Sequence, residues 1–285
     1  MKDIDPSKSA SAGLNRRAFV GLSGGIIAAA AAAGPAAAQS PGLGKPHPPF
    51  VSEDDPRIRV ARVGLTSQGA PVAAYAASPA SADARTPGVV VVMHIWGVDE
   101  SIRDVVRRYA VAGYAAIAPD LYARQRAPAG DGATDFAPFV PFAKALVPSA
   151  VDADLDAAAN WIVAAHPKAK IGITGFCMGG AIALRQALRT TATYAADAPF
   201  YGKVEGVDPP AVRIPICGSY GERDTGIPAD GVRAFAKALH VANDIVEYPT
   251  AGHAFFDDQR PSYVPSASED AWRRTLAFFA KYLRN

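Results

Sequence analysis

The residues around Cys177 have the types and spacing needed for nucleophilic chemistry. A short apolar run at 171–174 leads into Gly-Phe-Cys-Met-Gly-Gly at 175–180, and a helical pattern follows at 181–188. Glycine two residues before and two residues after the cysteine permits a strand-to-helix turn that is too tight for larger side chains. Such a turn places the thiol at a helix N-terminus, where exposed N–H groups favour the thiolate. The backbone N–H of Met178 would then face a developing oxyanion.

A thiol nucleophile also requires a base and a group that orients this base. Asp224 follows a predicted strand at 214–218, and His253 follows a predicted strand at 245–248. The chain order nucleophile, acid, histidine is that of α/β-hydrolases, and loops that follow parallel strands meet at one edge of the sheet. We therefore predict that Asp224 orients His253 and that His253 activates the thiol, with Glu222 as the competing acid.

Two structural roles compete with the catalytic role of Cys177. Free cysteines are often buried and inert, and in an oxidising compartment Cys177 could instead form a disulfide with Cys217. The strand, turn and helix predicted around Cys177 favour the catalytic role. The five histidines and two cysteines are too scattered for a metal-finger spacing, so no metal site is predicted.

Strand and helix patterns alternate along most of the chain. A hairpin is predicted at 59–65 and 72–77, further strands at 89–93, 115–118, 171–174, 195–199, 214–218 and 245–248, and helices at 101–112, 155–165, 179–188, 232–239 and from about 269. This alternation indicates an α/β fold with a mostly parallel central sheet and helices on both faces. Residues 124–148 are rich in alanine and proline and break the pattern, so we expect a loop or a short helix near the site.

The N-terminal residues 1–38 have the features of an export signal. Arg16 and Arg17 precede a weakly apolar run at 20–33, and three alanines at 36–38 form a small-residue cleavage site. The paired arginines predict a bacterial twin-arginine signal, with the twin-arginine export machinery as a partner and a periplasmic or otherwise exported location. An uncleaved membrane anchor is the alternative, but the run is shorter than the ~20 residues needed to span a bilayer.

The composition of the chain indicates its domain organisation and argues against some classes of partner. Of the 285 residues, 49% are hydrophobic, which is enough for one domain with a large core. Residues 39–57 are rich in proline and predict a linker or a surface-draped arm, followed by the domain at 58–285. The formal net charge of +2 comes from residues 1–38, because acidic and basic residues balance in the rest of the chain. We therefore expect no nucleic-acid binding, and we expect a monomer.

Three sequence blocks resemble the dienelactone hydrolase family (carboxymethylenebutenolidases). They are Gly-Phe-Cys-Met-Gly-Gly at 175–180, Gly-Glu-Arg-Asp-Thr-Gly-Ile-Pro at 221–228 and Gly-His-Ala-Phe-Phe at 252–256, with further similar segments at 102–122 and 260–276. The likeness spans about residues 58–283. The resemblance implies an α/β-hydrolase fold without a large cap, no metal or organic cofactor, and hydrolysis of small esters or lactones through a thioester acyl-enzyme.

The resemblance also assigns residues around the reacting group. The N–H of Ile95 would be the second oxyanion donor. Arg124 matches an arginine that binds the substrate's carboxylate, whereas the second such arginine has no match, because Asp257 or its neighbours occupy that position. Where the family has a glutamate that interacts with the resting thiol, this chain has His94. We consider two roles for His94: a neutral histidine that only packs, or a hydrogen-bond partner that raises the thiolate fraction of Cys177.

Aromatic residues near these blocks could form an apolar substrate pocket. The candidates are Trp96, Phe136, Phe139 and Tyr201. Core packing is the competing role for all four.

The residues thus predict a cysteine hydrolase of small esters or lactones. A peptidase or an acyl transferase could use the same acyl-thioester, because a fold does not determine the substrate. The alternative from another class is a non-catalytic exported protein that binds a small molecule on the same fold.

Overall fold

The computed structural model describes residues 48–191 and 193–284. The predicted signal at 1–38 and residues 39–47 of the proline-rich segment lie outside these residues. Within the described ranges, no helix is both long enough and apolar enough to cross a membrane.

Eight strands form one mixed sheet in the order β1-β2-β4-β3-β5-β6-β7-β8. The strands are β1 (Ile58–Ser67), β2 (Ala70–Pro79), β3 (Gly88–Val92), β4 (Ala115–Pro119), β5 (Ile171–Phe176), β6 (Ala196–Phe200), β7 (Ser219–Gly221) and β8 (Val246–Tyr248). The β2 strand is antiparallel to both of its neighbours, β1 and β4. The other neighbouring strands, in the order β4-β3-β5-β6-β7-β8, are all parallel. The predicted mostly parallel sheet is therefore confirmed.

In the part of the chain that the structure describes, six α-helices and two short 3-10 helices accompany the sheet. The α-helices are α1 (Glu100–Val111), α2 (Val140–Lys144), α3 (Pro148–Ala165), α4 (Met178–Gln186), α5 (Ala229–Ala238) and α6 (Pro265–Leu283). The 3-10 helices are at Ala137–Phe139 and Pro209–Ala211.

Two glycines show that helices cover both faces of the sheet. A Cβ atom on Gly88 would lie 2.7 Å from Ile162 of α3, and one on Gly172 would lie 2.9 Å from Phe279 of α6. Gly88 pairs in register with Ile171, so Gly88 and Gly172 point to opposite faces because side chains alternate along a strand. The α3 and α6 helices therefore pack on opposite faces, as the sequence predicts.

The hairpin between β1 and β2 is also confirmed. Its turn residues Gln68 and Gly69 have φ angles of 50° and 74°. Two consecutive positive φ angles belong to the turn that matches the right-handed twist of two antiparallel strands.

Several boundaries differ from the sequence prediction; the helix predicted at 155–165, for example, begins at Pro148. Within the predicted strand at 214–218, only Ile216 forms β-bridges, one to each neighbouring segment. The hydrogen-bonded strand β7 begins at Ser219. Pro215 has no N–H to donate to a ladder, so the apolar pattern there reflects burial. The last helix begins at Pro265, before the predicted start near residue 269, because proline is favoured in the first helical turn.

The segment at 124–148 contains only short helices, as predicted, and it contacts the loop after β3. A Cβ atom on Gly130 would lie 2.0 Å from the carbonyl oxygen of Trp96. Asp131 accepts a hydrogen bond from the N–H of Glu100 at 2.8 Å. This segment is therefore attached beside the carboxyl end of β3.

The described part of the proline-rich segment is attached to α1. The N–H of Val51 donates to Asp104 at 2.9 Å, and Arg107 donates to the Val51 carbonyl oxygen at 2.6 Å. Val51, Asp104 and Arg107 are all buried. Two buried charged side chains thus hold one short stretch of main chain.

Asp197 in β6 is fully buried, and neither of its carboxylate oxygens has a hydrogen-bond partner among the described residues. Burial raises the pKa of this carboxyl well above its ordinary value. Burial therefore favours the protonated carboxyl in the folded protein more than in the unfolded chain, where its ordinary pKa is 3.8. Folding costs more free energy as the pH rises above that value.

We predict that Asp197→Asn increases the free energy of unfolding by an amount that grows with pH, by at most about 1.4 kcal/mol per pH unit. Asparagine keeps the shape of the acid but has no proton to take up. Urea unfolding of both proteins at pH 4.5, 6 and 7.5 measures the difference. The exposed control Asp54→Asn should show no such trend, and a pH-independent difference for Asp197→Asn would contradict the prediction.

Candidate active site

The residues predicted to carry chemistry meet at the carboxyl edge of the sheet. Ile95 follows β3, Cys177 follows β5, Tyr201 follows β6, Asp224 follows β7, and His253 lies in the loop after β8. The loops at this edge are where open α/β sheets bind ligands. Parallel strand direction, together with strand order, therefore brings residues from distant parts of the sequence into one site.

Cys177 occupies a strained turn between β5 and α4. Its φ and ψ angles are 56° and −115°, a conformation that is rare for any residue other than glycine. A Cβ atom on Gly175 would lie 2.1 Å from the Gly179 carbonyl oxygen, and one on Gly179 would lie 2.3 Å from the Val92 carbonyl oxygen. Only glycine fits these two positions, which is the constraint that the sequence pattern predicts.

The structure brings Cys177, His253 and Asp224 into one hydrogen-bonded series. The Nε2 atom of His253 lies 3.0 Å from Cys177 Sγ, and Nδ1 lies 2.6 Å from Asp224 Oδ2. The other carboxylate oxygen of Asp224 accepts from the N–H groups of Gly226 at 2.9 Å and Ile227 at 3.1 Å. The acid is therefore fixed on both sides, which orients the imidazole.

The competing acid Glu222 is exposed, whereas Asp224 is buried against the histidine. The competing disulfide is absent, because Cys177 and Cys217 are both free thiols. Cys217 is completely buried, and burial raises its pKa to about 12. Cys217 is therefore a poor nucleophile, whereas Cys177 is half-buried beside a base.

The charges at the site favour a thiolate–imidazolium pair. Burial alone would raise the pKa of the Cys177 thiol, but His253, the N–H of Met178 and the more distant His94 together lower it. Burial would lower the pKa of His253, but the Cys177 sulfur and Asp224 raise it well above its ordinary value. Each partner thus stabilises the charged form of the other.

The two predicted oxyanion donors are linked by a side chain to which sequence reasoning assigned no role. The hydroxyl of Tyr122 donates to the Ile95 carbonyl oxygen at 3.0 Å and lies 3.8 Å from the Met178 sulfur. Tyr122 is buried, as are Ile95 and Met178. The hydroxyl therefore holds the peptide after Ile95 against the start of α4. Its position directly after β4 was the available sequence signal.

His94 does not make the predicted hydrogen bond to Cys177. Its Nε2 atom lies 2.8 Å from Asp99 Oδ1, and its Nδ1 atom lies 3.4 Å from Asp257 Oδ2. One ring nitrogen is therefore hydrogen-bonded to a carboxylate, and the other faces a second carboxylate at ion-pair distance. Burial would lower the pKa of the imidazole, but Asp99 and Asp257 outweigh burial and raise it to about 9. The raised pKa favours a charged imidazole over the neutral packing histidine that was the alternative role.

Arg260 closes this arrangement into a ring. It donates to Asp99 Oδ2 at 2.8 Å and lies 3.4 Å from Asp257 Oδ2. Its guanidinium stacks on Trp96, with 3.9 Å between Cζ and the ring centroid, a distance suited to a cation–π contact. We call His94, Asp99, Asp257 and Arg260 the charge ring.

The prediction that Arg124 presents its guanidinium to a substrate carboxylate needs correction. The two terminal nitrogens of Arg124 lie 2.7 and 2.8 Å from the carboxylate oxygens of Asp154, whose side chain is 1% exposed. One of these nitrogens also donates to the Ser67 carbonyl oxygen. This bidentate geometry already satisfies the fork of the guanidinium.

The aromatic candidates separate into two groups. Tyr201 and Phe139 are each 2% exposed, so core packing accounts for them. The ring of Tyr201 packs against the imidazole of His253, with 5.3 Å between the two ring centroids. Trp96 and Phe136 are half-buried, and only these two keep partly accessible rings.

Two curated relatives share most of their length with this chain. A protein of Salmonella typhimurium named "Putative carboxymethylenebutenolidase" is 39% identical over 254 residues, which cover 82% of this chain and 92% of that protein. A protein of Escherichia coli (strain K12) with the same name is 38% identical over 252 residues, covering 82% of this chain and 91% of that protein.

A solved structure agrees with these relatives. A crystal structure titled "Putative Dienelactone Hydrolase" from Klebsiella pneumoniae has 36% sequence identity and a TM-score of 0.73, covering 79% of this chain and 99% of that one. The family model described as the dienelactone hydrolase family matches residues 72–283. With its α/β-hydrolase fold and its site at the edge of the sheet, the chain belongs to the dienelactone hydrolase family of carboxylic ester and lactone hydrolases.

Proposed function

We propose that the protein hydrolyses small ester or lactone bonds through a thioester acyl-enzyme on Cys177. The observation that carries the proposal is the hydrogen-bonded series from Asp224 through His253 to the cysteine sulfur. Family membership supports the hydrolase class. The lowered pKa of Cys177 supports sulfur as the attacking atom, because the thiolate is the nucleophilic form.

In the first half-reaction, the thiolate attacks the carbonyl carbon of the substrate. The electron pair of the carbonyl moves to oxygen, and the N–H groups of Ile95 and Met178 stabilise the resulting oxyanion. Collapse of this tetrahedral intermediate breaks the bond to the alkoxide. The alkoxide takes the proton from Nε2 of His253, which leaves a neutral imidazole and a thioester on Cys177.

In the second half-reaction, the neutral His253 accepts a proton from water as the water oxygen attacks the thioester carbon. The new tetrahedral intermediate collapses by breaking its bond to sulfur. The carboxylic acid leaves, and the thiolate–imidazolium pair is restored. Asp224 stabilises the imidazolium in each half-reaction, since it accepts the N–H of Nδ1 throughout.

The occupied arginines favour an uncharged substrate within this class. Arg124 is neutralised by Asp154, and Arg260 is neutralised by Asp99 and Asp257. A substrate carboxylate would have to compete with Asp154 for Arg124 and with the buried Asp99 and Asp257 for Arg260. We therefore propose that neutral esters and lactones are preferred over carboxylated ones such as a dienelactone.

A non-catalytic binding protein on the same fold is less well supported. Such a protein would not need a nucleophile in a strained turn, a base 3.0 Å from it and an acid fixed by two main-chain N–H groups. Strain of this kind persists where it is part of a mechanism. A peptidase or an acyl transferase would use the same first half-reaction and is distinguished by its substrates.

With p-nitrophenyl acetate we predict a burst of p-nitrophenolate and one acetyl group on Cys177, detected by stopped-flow absorbance and peptide mass analysis. Cys177→Ala should lose the burst and lower kcat by about a thousandfold or more, because the nucleophile is removed. Cys217→Ala is the matched control and should keep both. The absence of a burst and of turnover with any short ester would favour the binding protein.

The preference for uncharged substrates is tested with two esters that share a leaving group. We predict that kcat/KM is at least about tenfold higher for p-nitrophenyl butyrate than for the p-nitrophenyl monoester of succinate. The acyl chains have the same length and differ in one terminal carboxylate. Equal values, or faster cleavage of the succinate ester, would mean that a free cation faces the acyl group.

We also propose that residues 1–38 direct export by the twin-arginine route, supported by Arg16, Arg17 and the small-residue site at 36–38. Fused to a folded reporter in a bacterial host, residues 1–38 should deliver the reporter to the periplasm. The double variant Arg16→Lys/Arg17→Lys keeps the charge and should abolish delivery. Delivery that persists in a host without the twin-arginine machinery would refute this route.

A further inference from the structure

The geometry of the charge ring determines the protonation state of His94. The four side chains are between 2% and 6% exposed. A neutral imidazole has one N–H and one lone pair, so it would turn a lone pair toward either Asp99 or Asp257. An imidazolium turns an N–H toward each carboxylate, donating to Asp99 and facing Asp257 as an ion pair, and together with Arg260 it balances the two negative charges. The buried ring is therefore neutral only when His94 is protonated.

The ring connects two loops that hold different parts of the site. His94 immediately precedes Ile95, whose N–H is the proposed oxyanion donor. Asp257 lies four residues after His253 in the loop between β8 and α6. The ion pair between His94 and Asp257 therefore sets the distance between the oxyanion donor and the base. Asp99 fixes the same arrangement to α1, because it caps that helix by accepting from the N–H of Ile102 at 3.2 Å.

We propose that protonated His94 is a positioning residue for the reaction at Cys177, an inference that rests on the proposed function. It acts in two ways. Its positive charge stabilises the nearby thiolate by electrostatics alone, because both ring nitrogens face carboxylates. Its two ion pairs also hold the N–H of Ile95 in place relative to His253. No atom of His94 takes part in bond making or proton transfer.

The groups that face His94 come from three other segments of the fold. Asp99 comes from the start of α1, Asp257 and Arg260 come from the loop before α6, and the thiol of Cys177 comes from the start of α4. Loss of the His94 proton would leave the ring with one net negative charge. That charge would oppose the oxyanion formed beside Ile95, so kcat/KM should fall as the pH rises through the pKa of His94, about 9.

The test compares alkylation of Cys177 by iodoacetamide across pH 4–10 with hydrolysis of p-nitrophenyl acetate. We expect His94→Gln, which keeps hydrogen-bonding groups without the charge, to move the onset of alkylation to higher pH. We also expect kcat/KM at pH 7 to fall about tenfold. The control His240→Gln removes an exposed histidine and should change neither result. A folded His94→Gln protein with an unchanged alkylation profile would overturn the proposal.

A second variant keeps the proposal testable if His94→Gln does not fold. Asp257→Asn retains His94 and the shape of the ring but removes one of the two carboxylates that hold the imidazole proton. The decline of kcat/KM at high pH should then move from about pH 9 toward lower pH. If the decline occurs at the same pH in Asp257→Asn as in the wild type, His94 does not determine that pH.

The pH dependence of protein stability tests independently whether His94 is protonated in the folded protein. The pKa of His94 is about 9 in the folded protein against an ordinary value of 6.5, so its stabilising effect is complete below 6.5 and is lost as the pH rises through 9. The urea midpoint of the wild type should fall across this window more steeply than that of His94→Gln. Equal slopes would show that His94 is not protonated in the fold.

The two assays also separate failure of this inference from failure of the proposed function. If no ester is turned over but the onset of alkylation still moves in His94→Gln, the ring tunes the thiol and the hydrolase assignment is wrong. If Cys177-dependent turnover is present and His94→Gln leaves the alkylation and pH profiles unchanged, the hydrolase assignment stands and the role of His94 is wrong.

Discussion

The backbone conformation at Cys177 is the constraint on which the site depends. A cysteine at φ 56° fits only because residues 175 and 179 are glycines, since a Cβ atom at either position would lie 2.1 to 2.3 Å from a main-chain oxygen. The turn directs the sulfur away from the sheet and toward the loop of His253. It also starts α4, so the N–H of Met178 meets the sulfur at a helix N-terminus. One local strain thereby fixes the nucleophile, one oxyanion donor and the direction from which the base must approach.

Much of this arrangement could be predicted from local sequence. The nucleophile, the acid and the base each follow a strand, and parallel strands bring their carboxyl ends together regardless of loop length. The glycines at 175 and 179 reveal the turn because only their missing side chains permit it. The strand at 214–218 was misplaced because a buried apolar run and a hydrogen-bonded ladder have the same residue pattern when proline interrupts the pairing.

The partners of charged side chains could not be predicted in this way. Arg124 pairs with Asp154, 30 residues away, and Asp99 pairs with Arg260, 161 residues away. No periodicity links such positions, because the contact exists only after the sheet and helices have packed. His94 shows the consequence most clearly. Its residue type allows a thiol-activating hydrogen bond, but Asp99, five residues on, and the distant Asp257 face its two ring nitrogens and raise its pKa.

The contact between Val51 and α1 extends the folded unit beyond the first strand. Asp104 is fully buried and uses the Val51 N–H as a main-chain donor, while Arg107 donates to the Val51 carbonyl. A chain shortened to begin at β1 would take these partners away and leave buried charge less well compensated, which is costly in a protein interior. The functional N-terminal boundary of the domain therefore lies before residue 51, a limit for any fusion or truncation of this protein.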